Sequence, residues 1–352
     1  MNPAATSENP PDEVLAAYEI EPQSLERAGT GLINQTWFVR TSAGRRAVLQ
    51  RVNPVFKPEI HEDIEAVTKH LLAKGLMTPV LLASRVGELW VEEAGAVWRL
   101  MSYVHGVSHD ALTSTAQARE AGRALARFHE ALRDLEHEFR SARLGVHDTD
   151  RHLRALREAL VERGDHPSFA AIETLAAEVF EVAADIASLP AVPDRIVHGD
   201  PKISNILFAP DDGRALCLID LDTLSRMPVA FELGDAFRSW CNPKTEDASS
   251  ATFSLSFFEA AIFGYARQRP GLLEHAEWAS IPAATFRIAV ELAARFCADA
   301  LHERYFAWDA RRYASASAHN QARTRGQLNL ARTIRGQRTA IEAILARAFS
   351  RR

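Results

Sequence analysis

The chain has 352 residues, 47% of them hydrophobic and 25% charged, with a formal net charge of -5. That is ample material for a core, and the length favours two domains. No basic block marks a nucleic-acid binder, no apolar run reaches the roughly 18 residues of a membrane span, and Cys217, Cys241 and Cys297 are too scattered for a disulfide framework or a metal pattern. A cytoplasmic, reducing compartment follows from that cysteine usage. Residues 1–11, rich in Pro, Asn and Ser, read as a flexible lead and not as a signal peptide.

A short helix is expected over 12–20, then strands at 25–27, 36–40 and 46–51, the last two joined by a turn at Ser42, Ala43 and Gly44. Ile60, Ile64, Val67 and Leu71 recur at helical spacing and predict a helix over 59–74, ended by Gly75. Strands at 89–92 and 97–103 turn at Ala94 and Gly95. Residues 12–104 thus form a small lobe of antiparallel sheet plus one helix, with a boundary near His105 and Gly106. The second lobe, 105–352, is mostly helical, with helices over 115–137, 151–163, 168–188, 250–268, 282–307 and 318–348. The fold class is α+β in two lobes.

The chemistry is concentrated between residues 195 and 222. A strand at 195–197 leads into His198, Gly199, Asp200, Pro201, Lys202, Ile203, Ser204 and Asn205. A strand at 206–208, a turn at Asp211, Asp212 and Gly213, and a strand at 215–219 then end at Asp220, Leu221 and Asp222. Such a strand, loop and hairpin unit would bring Asp200, Asn205 and Asp220 to one end of a small sheet. Phosphoryl transfer needs a carboxylate for the attacking hydroxyl, a carboxamide oxygen on a metal ion, and a second carboxylate holding Mg²⁺ against the phosphates. Asp200, Asn205 and Asp220 supply these in the order and spacing that protein kinases use. Lys202 stands where an ammonium meets the γ-phosphate. His198 reads as a pin for the loop, Asp235 as a partner for the loop's backbone, and His129 as a satisfied core residue. Asp222 either approaches a second metal or bonds substrate.

The nucleotide side is less complete. Gly29, Gly31 and Asn34, in a G-x-G-x-x-N pattern between the first two strands, suit a loop whose backbone approaches phosphates. The third strand carries Gln50 where kinases place a lysine, so either Gln50 contacts phosphate or ribose as a neutral group or a bulge brings Arg51 in. Glu65 is the helix carboxylate that would pair with that lysine, or a solvated helix-face acid. Glu291, Arg295 and Asp299 repeat at four-residue spacing. They form an ion ladder at the surface or between helices, or a polar stripe facing a hydroxyl-rich substrate, with Phe296, Tyr305, Phe306 and Trp308 nearby.

At these residues the chain resembles the aminoglycoside phosphotransferase and choline kinase-like family. The resemblance is nearest to the N-acetylhexosamine 1-kinase branch through Gly31–Thr36, Val48–Asn53, Asp63–Thr68, Ile219–Thr223 and Glu291–Phe296. It implies a protein-kinase-like fold with ATP and Mg²⁺ as cofactors, Asp200 as base, Asn205 and Asp220 as metal ligands, and the Tyr103 region as the adenine-facing hinge. Arg295 and Asp299 carry over as substrate contacts. Leu32 departs from the branch, since it cannot hydrogen-bond a sugar hydroxyl. The leading expectation is a sugar kinase acting on the anomeric hydroxyl of a hexose or N-acetylhexosamine, as monomer or homodimer. The alternatives are an aminoglycoside, homoserine-like or choline-like acceptor, or a nucleotide-binding pseudokinase. The basic stretch with Arg311, Arg312, Arg323 and Arg325 tilts against a polycationic aminoglycoside.

Overall fold

The computed structural model describes residues 9–28, 34–141 and 145–350. The chain forms two compact units: the residues up to His105 together with 134–141, and the remainder. In the first, α1 (Asp12–Ala17) precedes β1 (Glu26–Arg27), β2 (Gln35–Arg40) and β3 (Arg46–Val52). Then come α2 (Ile60–Ala73), β4 (Leu81–Leu82), β5 (Val91–Glu93) and β6 (Ala96–Ser102). All strand pairs are antiparallel, in the order β1-β2-β3-β6-β4 with β5 also on β6. The two-residue strand β4 has too short a pattern to be read from sequence.

Alternation decides the sheet's two faces. Trp37, Val39, Ala47, Leu49, Trp98 and Leu100 all point one way, into a core shared with Val14, Leu15 and Tyr18 of the N-terminal segment. Burying each large side chain there stabilises by about 1.5–3 kcal/mol. The other face carries Thr36, Gln50 and Arg99, aligned across three strands. In α2 the expected stripe of Ile60, Ile64, Val67 and Leu71 is buried, and so is Asp63. Asp63 accepts from the backbone N–H of Arg140 and Ser141, each at 3.0 Å, and lies 2.8 Å from His137 Nε2. This buried carboxylate explains why 134–141 belongs to the first unit although the sequence pattern assigns everything after residue 104 to the second.

The second unit contains α3 (Thr115–Ala131), α4 (Thr149–Glu162), α5 (Phe169–Ala183), β7 (Asp194–Val197), β8 (Ile206–Phe208), β9 (Ala215–Leu218) and β10 (Ser225–Pro228). These are followed by α6 (Val229–Trp240), α7 (Leu255–Gln268), α8 (His275–Ala279), α9 (Ile281–His302), α10 (Ala316–Gly336) and α11 (Arg338–Phe349). The expected single small sheet is two ribbons: β7 pairs with β10, and β8 with β9. The expected last helix is broken at Gln337, whose φ of -103° and ψ of 6° lie outside the helical well. Helix α9 stops at Glu303, in the left-handed region with φ 53°.

Helices α3 and α7 cross with no side chain between them. A Cβ on Gly122 would lie 1.9 Å from the Ala261 carbonyl oxygen, and one on Gly264 would lie 2.1 Å from that of Arg119. Alanine in a helix interior normally gains about 1 kcal/mol over glycine. Here the obstacle is backbone, and overpacking costs about 1–3 kcal/mol or more. Gly122→Ala and Gly264→Ala should each therefore lose about 2 kcal/mol in urea unfolding, against the sign that helix propensity gives.

Candidate active site

The loop after β7 is held almost entirely by groups from later elements. Glu232, in the first turn of α6, is 1% exposed. Its Oε1 accepts from the backbone N–H of His198 and its Oε2 from that of Gly199, both at 2.9 Å. His129 on α3 stands behind it, with Nε2 3.4 Å from Glu232 Oε1 and Nδ1 2.7 Å from the Tyr265 hydroxyl. Burial pushes the Glu232 carboxyl up. The hydrogen bond from His129 and those from the loop's N–H groups outweigh that and hold it below the usual glutamate value.

His198 uses both ring nitrogens. Nε2 donates to the Ile219 carbonyl at 2.9 Å, and Nδ1 accepts from the Asp200 N–H at 3.3 Å. It is the pin that the sequence suggests, in one fixed tautomer. Thr223 Oγ1 donates to the His198 carbonyl at 2.9 Å, Trp240 Nε1 to the Pro201 carbonyl at 2.8 Å, and the Ile203 N–H to Ser239 Oγ at 3.1 Å. At Gly199, with φ 84°, an added Cβ would lie 2.2 Å from the Thr223 carbonyl oxygen, so only glycine fits that turn.

This scaffold brings the predicted residues together. Asp200 Oδ2 accepts from Lys202 Nζ at 2.7 Å and from Asn205 Nδ2 at 3.1 Å, and the same amide donates to the Asp200 carbonyl at 2.9 Å. Burial raises the Asp200 pKa, but the Lys202 ammonium more than offsets it and leaves the carboxyl below its ordinary range. Burial likewise lowers the Lys202 pKa, and the charges of Asp200 and Asp220 reverse that to a net rise. The Asn205 carbonyl accepts from the Ile219 N–H at 2.8 Å, which sets the end of β9 beside the loop. Asp220 follows in the left-handed region, φ 64° and ψ 58°, a conformation that aspartate tolerates better than most residues. Asp222 is buried in the next turn.

Several expectations change. The loop's backbone partner is Glu232, not Asp235. Asp235 instead accepts from Arg238 Nε and Nη2 at 2.9 and 2.8 Å, and Arg238 also pairs with Glu246. A helix starting at Val229, with an acid in its first turn, was the available signal for Glu232. Glu291, Arg295 and Asp299 are not a ladder. Glu291 is buried against His147 at 3.2 Å and Thr149 Oγ1 at 3.1 Å. Asp299 accepts from the N–H groups of Arg304, Tyr305 and Phe306 and from Asn320, and so ties the loop after α9 to that helix. Arg295, half-buried, lies over the rings of Tyr305 and Phe306 at 5.8 and 5.6 Å, and among the described residues it has no carboxylate partner.

In the first unit, Gln50 Nε2 donates to Thr36 Oγ1 at 3.2 Å and its Oε1 accepts from Arg99 Nε at 2.9 Å. Strand β3 is regular there, so no bulge brings Arg51 across. Glu65 pairs with Lys69 on its own helix at 2.9 Å, the solvated-acid reading. Asn34 Oδ1 accepts from the Asn53 N–H at 2.9 Å and ties the start of β2 to the end of β3. Tyr103 lies under the Arg46 guanidinium at 4.1 Å, with Phe38 at its edge. Gly29, Gly31 and Leu32 lie outside the described residues.

A model of the phosphotransferase enzyme family, APH, matches residues 24–270, and the chain belongs to that family. A homoserine kinase of Methylobacterium radiotolerans is 30% identical over 277 residues, 77% of this chain and 79% of that one. A homoserine kinase of Xanthobacter autotrophicus is 26% identical over 295 residues, 80% and 81% of the two chains. Among solved structures, a microcompartment-associated aminopropanol kinase superposes with a TM-score of 0.61 at 16% identity, over 95% of this chain and 98% of that one. An amicoumacin kinase, solved with AMP-PNP and Ca²⁺, also scores 0.61, at 14% identity over 90% and 91%. The chain is an ATP-dependent phosphotransferase that acts on a hydroxyl acceptor, which sets aside the scaffold reading. No helix among the described residues is long and apolar enough to cross a membrane.

Glu232→Gln leaves one of the two loop N–H groups facing an NH₂. An unmet buried donor costs about 1–3 kcal/mol. Stability should fall by that amount and kcat with it, as checked by denaturant melts and steady-state rates. In the wild type the clamp's contribution is complete above the ordinary glutamate pKa of about 4.5. It should be lost as pH falls through the lowered folded-state value, a loss that pH-dependent melting of the Gln variant will lack.

Proposed function

We propose that the acceptor is a small amino alcohol bearing a carboxylate, of the homoserine type, and that the cofactors are ATP and Mg²⁺. The observation that carries the acceptor is Arg295, a half-buried guanidinium with no carboxylate partner among the described residues. Planar guanidinium matches carboxylate with two parallel bonds, whereas a neutral sugar offers nothing to neutralise it. The homoserine kinases among the relatives support the same reading. The sugar acceptor keeps only the short motif likenesses.

In this reading Asp200 orients the acceptor hydroxyl and takes its proton. A carboxylate held below its usual pKa is a weak base. That suits a loose transition state, in which the hydroxyl gives up its proton late. Lys202 holds the Asp200 carboxylate in place and lends positive charge near the transferred group. Asn205 and Asp220 fit a divalent cation. Both hydrogens of the Asn205 amide face Asp200, which turns Oδ1 the other way, and the strained backbone of Asp220 fixes its carboxylate at the end of β9. Magnesium held there neutralises charge on the phosphates.

A coupled ADP-release screen tests the acceptor. L-homoserine should exceed N-acetylhexosamines, aminoglycosides and choline in kcat/KM by at least about 100-fold, and a sugar at the top of that ranking sinks the reading. Arg295→Met should raise the homoserine KM by about 10- to 100-fold, the worth of one charge-assisted pair, with the KM for ATP unchanged. Asp200→Asn should cut kcat by orders of magnitude while fluorescent-nucleotide affinity stays within a few-fold.

A further inference from the structure

Strand β3 lacks the lysine that kinases use to hold nucleotide phosphates, yet the sheet does not lack the charge. Gln50, at the lysine's position, is directly across from Arg99 on β6, on the face opposite the apolar core. Arg99 Nε donates to Gln50 Oε1 at 2.9 Å, and Gln50 Nε2 donates onward to Thr36 Oγ1 at 3.2 Å. The polarity of that row is fixed. Arginine has no acceptor, so Gln50 must present its oxygen to Arg99 and its nitrogen to Thr36. A lysine at position 50 would set two cations side by side. Glutamine instead grips the guanidinium by one of its five N–H groups and sets its plane.

Arg99 is 1% exposed. A buried cation is costly unless its surroundings are built for it, so apolar packing would not have selected it. The helix carboxylate that partners the usual lysine is also differently employed, since Glu65 pairs with Lys69. Lysine and its helix partner have thus both been given up, and one arginine has been added one strand over. We propose that Arg99, aimed by Gln50, is the cation that binds the nucleotide phosphates in this chain. Gln50 is then a positioning residue.

Relocating the charge tests this. Arg99→Gln should weaken mant-ATP binding and raise the KM for ATP by at least about 30-fold, with the acceptor KM within threefold. The double variant Gln50→Lys with Arg99→Gln returns the cation to β3 and keeps one amide and one cation in the pair. It should recover at least tenfold of that loss, a rescue that a purely structural arginine would not give. Nucleotide affinity within threefold of wild type in folded Arg99→Gln overturns the proposal, as does a folded double variant that recovers nothing. If Arg99→Gln does not fold, the double variant alone decides, against wild type. The mant-ATP titration uses no acceptor, so its outcome is independent of the homoserine reading.

Discussion

Two backbone N–H groups, of His198 and Gly199, end on one buried carboxylate, and the geometry of the loop that carries Asp200 depends on that. At the left-handed glycine the N–H groups of His198 and Gly199 have no acceptor within the loop. Those amides must find an acceptor or be wet. Glu232 supplies one, and the chain of Tyr265, His129 and Glu232 carries the anchoring into the helical interior. Asp200 is then displayed from a fixed base, with Lys202 and Asn205 bonded to it from within the same loop. The placement of the Asp200 carboxylate is inherited from α3, α6 and α7.

Four carboxylates of this unit are each given a cation, a hydroxyl or a set of N–H groups. Asp200 has Lys202, Asp235 has Arg238, Glu291 has His147 and Thr149, and Asp299 has three backbone amides and Asn320. The arrangement does not treat all four alike. Burial and the nearby charge of Asp200 leave Asp235 with a raised pKa in spite of Arg238, whereas Asp200 is lowered by Lys202. Neighbouring acids pushed in opposite directions avoid carrying two full charges without separate compensation. Against that background Arg295 is a half-buried guanidinium that lies over aromatic rings and has no carboxylate partner among the described residues.

Sequence pattern carried the order of elements, the helix stripe of Ile60, Ile64, Val67 and Leu71, and the cluster of Asp200, Lys202, Asn205 and Asp220, because each is set by local spacing. It could not assign Glu232, because the choice between two acids three residues apart on α6 depends on where β7 and β10 pair, a contact across thirty residues. The ladder reading of Asp299 fails for a related reason. A carboxylate repeating every four residues looks like a ladder until the chain beyond the helix folds back and offers three N–H groups. Gln50 read as a missing lysine because the compensating arginine is 49 residues later and becomes its neighbour only through strand pairing. Local motifs do not fix the acceptor, since its choice rests on side chains that come together only in the folded helical unit.

The crossing of α3 and α7 constrains how this sequence can drift. At most tight contacts a larger residue is tolerated once its neighbour is trimmed. At Gly122 and Gly264 the neighbour is the peptide oxygen of the opposite helix, which every amino acid possesses. No second-site replacement can make room. Both positions should stay fixed in any library of functional variants, while the surrounding helix surfaces diverge freely.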